Sequence, residues 1–275
     1  MSQTPFVSER YAAMFKRLGE AGQGAFIPFV TLGDPDLEQS EAIIKTLIDN
    51  GADALELGFP FSDPVADGPT IQRASIRALQ AQMSVDKCFA LLKRIRQYNA
   101  DIPIGLLVYG NLIMAQGREH FYQRCAENGV DSVLAADIPV REGKTFQQAA
   151  NQAHIAQVFI APPDATPMTL QRIAAHSQGY IYLLSRAGVT GANATLQLPA
   201  GKLIDYLRQQ GGAPAVLGFG ISAPEHVRQA IEAGAAGAIS GSAVVQRIEQ
   251  HLDDKTAMLA SLAEFIGNMK AATIK

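Results

Sequence analysis

Short apolar runs alternate along this chain with longer segments in which apolar residues recur every three to four positions. Apolar runs bounded by turn-forming residues predict strands at residues 25–32, 54–57, 104–109, 132–136, 156–161, 180–184, 215–219 and 236–240. Amphipathic segments predict helices at residues 37–50, 86–98, 119–128, 143–152, 167–176, 202–210 and 224–233. Gly51, Gly129 and Gly234 each follow the end of such a helix and lead into the next strand.

Eight consecutive strand–helix units, without a linker or a change in composition, predict a closed (β/α)8 barrel of the TIM type. This α/β architecture is favoured over an open doubly wound sheet. We expect residues 1–275 to form one such domain.

Two further helices are predicted outside the eight units. The first, at residues 8–18, begins at a capping serine, Ser8, and ends before Gly19. Its apolar residues lie on one face: Tyr11, Met14, Phe15 and Leu18. We therefore expect an extra N-terminal helix that covers the bottom of the barrel. Residues 255–272 predict a long C-terminal helix.

Composition narrows the class of protein. The 275 residues carry a formal net charge of −3, which gives no argument for binding to nucleic acid or to an anionic membrane. The two cysteines, Cys88 and Cys125, lack the spacing of a metal or redox site and fit a reducing compartment. The N-terminus lacks a secretory pattern, and no apolar run reaches the roughly 18 residues that a membrane-spanning helix needs. We therefore expect a cytoplasmic protein.

One acidic residue interrupts an apolar strand. Glu56 stands between Leu55 and Leu57 in the second predicted strand. Because the outer face of a barrel strand packs on helices, the leucines should point outward and Glu56 into the barrel mouth. Burial there should raise the pKa of Glu56, which suits a group that both donates and accepts protons. The alternative is a structural acid paired with a buried Lys or Arg.

Two more acids follow in a loop rich in Gly and Pro. Asp67 stands before Gly68 and Pro69, where a catalytic carboxylate and a solvated turn or cap residue are both possible. Asp63 stands before Pro64, and for it the turn is favoured. A buried acid at a strand end and a second acid in the next loop together indicate proton-transfer chemistry.

Three glycine-rich turns follow the sixth, seventh and eighth predicted strands. They are residues 185–191 (SRAGVTG), 218–222 (GFGIS) and 239–244 (ISGSAV). Glycines let backbone N–H groups approach a ligand, and Ser242 is placed to begin a short helix whose N-terminus favours an anion. For any one loop, ordinary turns and helix caps explain the pattern equally well. All three at these strand ends predict a phosphate site.

Other catalytic groups are missing from the strand ends. No lysine falls at the carboxyl end of a predicted strand, which disfavours a Schiff-base aldolase. The five histidines show no ligand spacing and disfavour a metal-dependent lyase: His120, His154, His176, His226 and His251. What remains is acid–base chemistry by two carboxylates, acting on a phosphorylated substrate with an apolar body. Candidates for its pocket, with core packing as the alternative, are Phe29, Leu107, Tyr109, Leu134, Tyr182 and Phe219.

Four motifs resemble those of tryptophan synthase alpha subunits. They are residues 29–35 (FVTLGDP), 55–69 (LELGFPFSDPVADGP), 185–191 and 218–222. The likeness extends over essentially the whole chain and is most specific at residues 55–69. Its departures, such as Phe59 and Val65, are conservative.

The resemblance implies retro-aldol cleavage of indole-3-glycerol phosphate to indole and glyceraldehyde 3-phosphate. It implies that Glu56 protonates indole C3 and takes the proton of the glycerol hydroxyl. Asp67 would hold the indole N–H and stabilise positive charge on the ring, and Tyr182 would lie beside Glu56. By the same likeness, phosphate-site positions are Gly191, Gly220, Gly241 and Ser242, and Thr190 is a further candidate for substrate binding. The loop at residues 185–197 would close over substrate, with Gly188 and Gly191 as hinges.

The resemblance also implies a partner. Family members form an α2β2 complex with a beta subunit that holds pyridoxal phosphate and receives indole through a tunnel, so no cofactor is expected in this chain. Asp137 and the loop containing Asp63 would face that partner and carry coupling between the two sites. Three functions stay open: a lyase subunit of such a complex, a stand-alone lyase, and a catalytically weak regulatory subunit. Intact Glu56 and Asp67 argue against the third.

Overall fold

The computed structural model describes residue 6 and residues 8–184 and 200–275, and within them nine parallel strand segments form one sheet. The strands are β1 (Ala25–Thr31), β2 (Leu55–Gly58), β3 (Ile104–Val108), β4 (Ser132–Ala135), β5 (Ala156–Val158), β6 (Ile160–Ala161), β7 (Ile181–Leu184), β8 (Ala215–Gly218) and β9 (Gly237–Ser240). The helices are α1 (Glu9–Glu20), α2 (Leu37–Asp49), α3 (Pro69–Gln80), α4 (Val85–Tyr98), α5 (Gly110–Gln116), α6 (Arg118–Glu127), α7 (Lys144–Gln152), α8 (Pro167–His176), α9 (Ala200–Gln209), α10 (Pro224–Glu232), α11 (Ser242–Gln250) and α12 (Lys255–Ala271).

The strand order confirms the predicted barrel. It runs β5-β4-β3-β2-β1-β9-β8-β7-β6, and the two strands at its ends are consecutive in the chain. The prediction of a single strand at residues 156–161 is wrong in one respect, because the strand is divided at Phe159. β5 pairs with β4, whereas β6 pairs with β7. The first part of residues 156–161 thus pairs with one end of the sheet and the second part with the other end, which closes the barrel.

Side chains alternate between two apolar layers, as the period of the strands predicts. The layer inside the barrel includes Ala25, Ile27, Ala54, Leu134, Val158, Tyr180, Val216 and Ile239. The layer between strands and helices includes Leu55 and Leu57, which point outward as predicted. Gly51, Gly129 and Gly234 all adopt positive φ directly after a helix, which confirms their predicted role as helix-ending residues.

The helix α1 closes the amino-terminal end of the barrel. Ser8 caps it, and Tyr11, Met14 and Leu18 are buried against the interior layer, while Phe15 is only partly buried. The Tyr11 hydroxyl lies 3.0 Å from Ser132 Oγ at the start of β4. Together with the long α12, this helix confirms the two additions predicted outside the barrel. Within the described residues, no helix is long and apolar enough to cross a membrane.

Candidate active site

Glu56 is buried on the interior face of β2, level with Phe29 of β1 and Gly105 of β3. Its Oε1 accepts a hydrogen bond of 2.7 Å from the Tyr180 hydroxyl. Its Oε2 has no hydrogen-bond partner among the described residues. Burial raises the pKa of the Glu56 carboxyl to about 7, and the bond from Tyr180 opposes part of that rise. In the described part of the chain no Lys or Arg forms an ion pair with Glu56, so the structural alternative has no cation there.

Asp67 is held by a tyrosine from the next strand. Its Oδ2 accepts a hydrogen bond of 2.8 Å from the Tyr109 hydroxyl, whose oxygen accepts one of 3.1 Å from the Ala66 N–H. Burial raises the pKa of Asp67 to about 6, and the Tyr109 bond lowers it in part. Gly68, not Asp67, is the cap residue of α3, and Pro69 takes the first helical position. Asp67 therefore does not cap this helix.

The two carboxylates share one cavity at the carboxyl ends of the strands, where this fold places its active sites. Its walls combine the two acids with apolar residues and a glycine- and serine-rich end: Phe29, Glu56, Asp67, Ile71, Leu107, Tyr182, Phe219, Gly220, Ile221, Ser222, Ile239, Gly241, Ser242 and Ala243. Nine residues predicted from the sequence thus come together here. Among the described residues, no Lys or Arg lines this cavity.

Two glycines make room for the aromatic walls. A Cβ atom at Gly58 would lie 2.7 Å from Cζ of Phe29. A Cβ atom at Gly218 would overlap the ring of Tyr182. Both glycines end a strand, and each lets a ring from a neighbouring strand approach its backbone closely. Close ring packing therefore requires glycine at these two positions.

The far end of the cavity is suited to an anion. Gly241 precedes α11, which begins at Ser242 beside Ala243 in the cavity wall. The first N–H groups of a helix have no acceptor within the helix, and the helix dipole favours negative charge at this end. Gly220, which has a φ of +79°, approaches the same end from the loop after β8. The cavity wall thus combines two carboxylates with the neutral backbone and hydroxyl donors of this helix start.

Comparison with known proteins gives the family. The family model described as "Tryptophan synthase alpha chain" matches residues 15–274. This chain belongs to the tryptophan synthase alpha chain family. It is 58% identical over 264 residues to a tryptophan synthase alpha chain of Vibrio cholerae serotype O1, covering 96% of this chain and 98% of that one. It is 56% identical over 265 residues to one of Escherichia coli, covering 96% and 99%.

Solved structures agree with the fold. A tryptophan synthase structure from Mycobacterium tuberculosis matches with a TM-score of 0.88 and 26% identity, covering 98% of this chain and 99% of that one. This solved tryptophan synthase structure therefore shares the fold described above over nearly the whole chain.

Not every predicted residue of this alpha chain lies in the cavity wall. Leu134 is buried in the interior layer with Val158 and Tyr180 and does not reach the cavity. Tyr109 is also absent from the wall, and its hydroxyl donates a hydrogen bond to Asp67, which lines the cavity. Asp63 is exposed and accepts a hydrogen bond of 2.5 Å from Ser62 Oγ, as a turn residue would. The predicted positions Thr190 and Gly191, and the hinge Gly188, lie outside the described residues.

Asp137 is absent from the wall of this cavity. Its Oδ1 accepts a hydrogen bond of 2.7 Å from the Gly110 N–H at the start of α5. It lines a second, apolar groove that also contains Ile138, Pro139 and Asp67. Among the described residues, no three His, Cys, Asp or Glu side chains are grouped so that they could hold a metal ion.

Sequence reasoning missed several residues of the site. Tyr180, the hydrogen-bond donor to Glu56, lies two positions before Tyr182 and so on the same face of the chain. That spacing was the available signal. Ile71 reaches the cavity from the first turn of α3, and no local pattern marks it.

Replacing Tyr180 by Phe should raise the pKa of Glu56 above its value of about 7, because the hydrogen bond that lowers it is lost. The measurement is a titration of the Glu56 carboxyl by carbon-13 NMR. Tyr206→Phe is the matched control, since its hydroxyl bonds to the Pro167 carbonyl away from Glu56. An unchanged Glu56 titration in Tyr180→Phe would contradict this assignment.

Proposed function

We propose that this chain is the lyase subunit of a tryptophan synthase, which cleaves indole-3-glycerol phosphate into indole and glyceraldehyde 3-phosphate. The observation that carries the proposal is the single cavity in which Glu56 and Asp67 meet apolar walls and the anion-binding end at Gly241 and Ser242. The family membership supports the same reaction. The indole ring would pack on the apolar walls, and the phosphate would lie at the far end.

The proton on Glu56 begins the reaction in this proposal. Protonated Glu56 donates to indole C3, and the ring becomes positively charged. Asp67 accepts the indole N–H and stabilises that charge. Glu56, now ionised, takes the proton of the glycerol hydroxyl. The bond between indole C3 and the glycerol carbon then breaks, its electron pair restores the aromatic ring, and the hydroxyl-bearing carbon becomes an aldehyde.

The two pKa values support these roles. A pKa of about 7 lets Glu56 hold a proton and release it near neutral pH, which is the condition for a group with both functions. A pKa of about 6 leaves Asp67 ionised at neutral pH, as a charge-stabilising group must be. The proton taken from the hydroxyl equals the proton given to C3, so Glu56 ends the cycle as it began.

The proposal includes a beta subunit. By likeness to the family, that partner would carry pyridoxal phosphate in an α2β2 assembly and convert the indole to tryptophan, while this chain would need no cofactor. The loop after β2 exposes Val65, whose side chain is 76% accessible. This loop, Asp63 and the groove beside Asp137 would face the partner. A cytoplasmic location and a single domain over residues 1–275 belong to the same proposal.

Indole release by the isolated chain, compared with release in the presence of a beta subunit, tests this function. We expect low activity alone and a large rise with the partner. Full activity alone would identify a stand-alone lyase. Absence of cleavage in both cases, with activation of the partner, would identify a regulatory subunit. The Glu56→Gln variant mixed with the same partner is the control for indole made by contaminants.

A further inference from the structure

The loop after β8 has a backbone that needs support. Phe219 has a φ of +76° and Gly220 a φ of +79°, so two consecutive residues adopt the left-handed region. For a bulky residue such as phenylalanine this conformation is unfavourable and persists only where the surroundings hold it. Both residues line the cavity. What holds this loop therefore determines the shape of the anion-binding end.

Two side chains hold the loop just after these residues. The hydroxyl of Ser240, completely buried in β9, donates a hydrogen bond of 2.7 Å to the Ile221 carbonyl. On the other side, Nδ1 of His226 accepts a hydrogen bond of 3.2 Å from the Ser222 N–H and lies 3.3 Å from Ser222 Oγ. Consecutive residues of the loop are thus attached to a strand and to a helix.

His226 occupies the third position of α10, whose cap residue, Ala223, forms no side-chain cap bond. At this position a glutamate or glutamine commonly reaches back to a backbone N–H before the helix. The imidazole makes the equivalent bond one residue further back. A ring nitrogen that accepts from an N–H carries no proton, so this contact selects the neutral tautomer protonated at Nε2.

We propose that His226 is a positioning residue for the anion-binding end of the cavity, acting through the backbone N–H of Ser222. The inference rests on the proposed function, in which this end holds the substrate phosphate. Since no Lys or Arg among the described residues lines the cavity, anion affinity here depends on how N–H and hydroxyl donors are oriented. The imidazole contacts both the backbone N–H and the hydroxyl of Ser222, so it fixes the position of both groups in the cavity wall.

Phosphate affinity of variants tests the inference. His226→Ala should raise KM for indole-3-glycerol phosphate, and the Kd of glycerol 3-phosphate measured by calorimetry, by about fivefold to tenfold, the scale of one hydrogen bond. The change in kcat should stay below about twofold, because Glu56 and Asp67 are untouched. His226→Gln should restore the affinity, since its carbonyl oxygen can accept from the same N–H. His120→Ala, at an exposed histidine of α6, is the matched control and should bind like the unchanged chain.

A variant with a shorter amide side chain distinguishes a positioning role of His226 from a general effect on the stability of the chain. His226→Asn keeps the polarity but withdraws the acceptor, so it should weaken binding as His226→Ala does, and it serves if the alanine variant does not fold. Equal Kd values for the asparagine, glutamine and unchanged chains would overturn the inference. So would a loss of kcat or thermal stability without a change in Kd. Failure of the unchanged chain to bind glycerol 3-phosphate would instead overturn the proposed function.

Discussion

Glu56→Gln is expected to lower kcat for indole formation by at least about 10²-fold, the usual scale for loss of a general acid–base group. The amide has nearly the same shape and its carbonyl oxygen can still accept the hydrogen bond from Tyr180. It can neither give a proton to indole C3 nor take one from the hydroxyl. Substrate binding should therefore persist, so that kcat falls far more than KM rises. Glu20→Gln, at an exposed residue of α1, controls for the exchange of a carboxylate for an amide.

The same variant should also change how the stability of the chain depends on pH, because the pKa of Glu56 is raised in the folded state. The folded chain retains the Glu56 proton up to a pH of about 7, whereas the unfolded chain releases it near its ordinary pKa of 4.5. The folded state thus binds more protons in this window, and the contribution of Glu56 to the free energy of unfolding falls as pH rises from about 4.5 to about 7. Glutamine does not titrate.

Urea unfolding at pH 5 and pH 8 measures this difference. When the pH is raised from 5 to 8, the free energy of unfolding of Glu56→Gln should increase relative to that of the unchanged chain, by an amount on the order of 1–3 kcal/mol. An identical difference in stability at both pH values would show that Glu56 titrates normally. Retained turnover would remove Glu56 from its catalytic role, whatever the stability result.

Asp67→Asn is the second substitution with a large expected effect. Loss of a group that stabilises transition-state charge costs roughly 10²–10³-fold in kcat. The asparagine carbonyl can still accept the bond from Tyr109, so the loop should keep its position. Because burial raises the pKa of Asp67 to about 6, the unchanged chain should also lose activity below that pH as the carboxylate is neutralised.

The test is the pH dependence of kcat for both chains. The activity that remains in Asp67→Asn should lack the decline near pH 6 that the unchanged chain shows. Asp253→Asn, at an exposed residue beyond α11, is the control and should behave as the unchanged chain. Asp67→Asn with near-normal kcat at pH 8 would assign Asp67 to the structure of the loop and not to catalysis.

Most of the architecture followed from local patterns. Alternation placed Leu55 and Leu57 on the outer layer and Glu56 on the interior face, and the structure agrees. Prediction was incomplete at residues 156–161, where one apolar run became two strands. The division at Phe159 depends on which neighbour each half meets, and those neighbours, β4 and β7, lie far apart in the sequence.

The height of a side chain along the barrel axis was less predictable than the face of the strand on which it lies. Leu107 and Leu134 are direct partners in neighbouring strands and both belong to the interior pattern. Only Leu107 reaches the cavity, whereas Leu134 remains in the packed layer. The strands of a closed barrel are tilted and staggered, so equal positions along two strands differ in height. This difference in height cannot be predicted from the sequence of any single strand.

The sequence alone determined the order of the elements, the interior direction of Glu56 and the glycine- and serine-rich loops at the ends of the last strands. Each of these reflects backbone geometry within a few residues. The sequence also predicted that burial would raise the pKa of Glu56. Only the tertiary structure decided its value of about 7 and the partners of the two acids, because the extent of burial and the hydrogen bonds depend on distant segments. Tyr180 is 124 residues from Glu56, and Tyr109 is 42 from Asp67. Closure of the barrel brings each pair together.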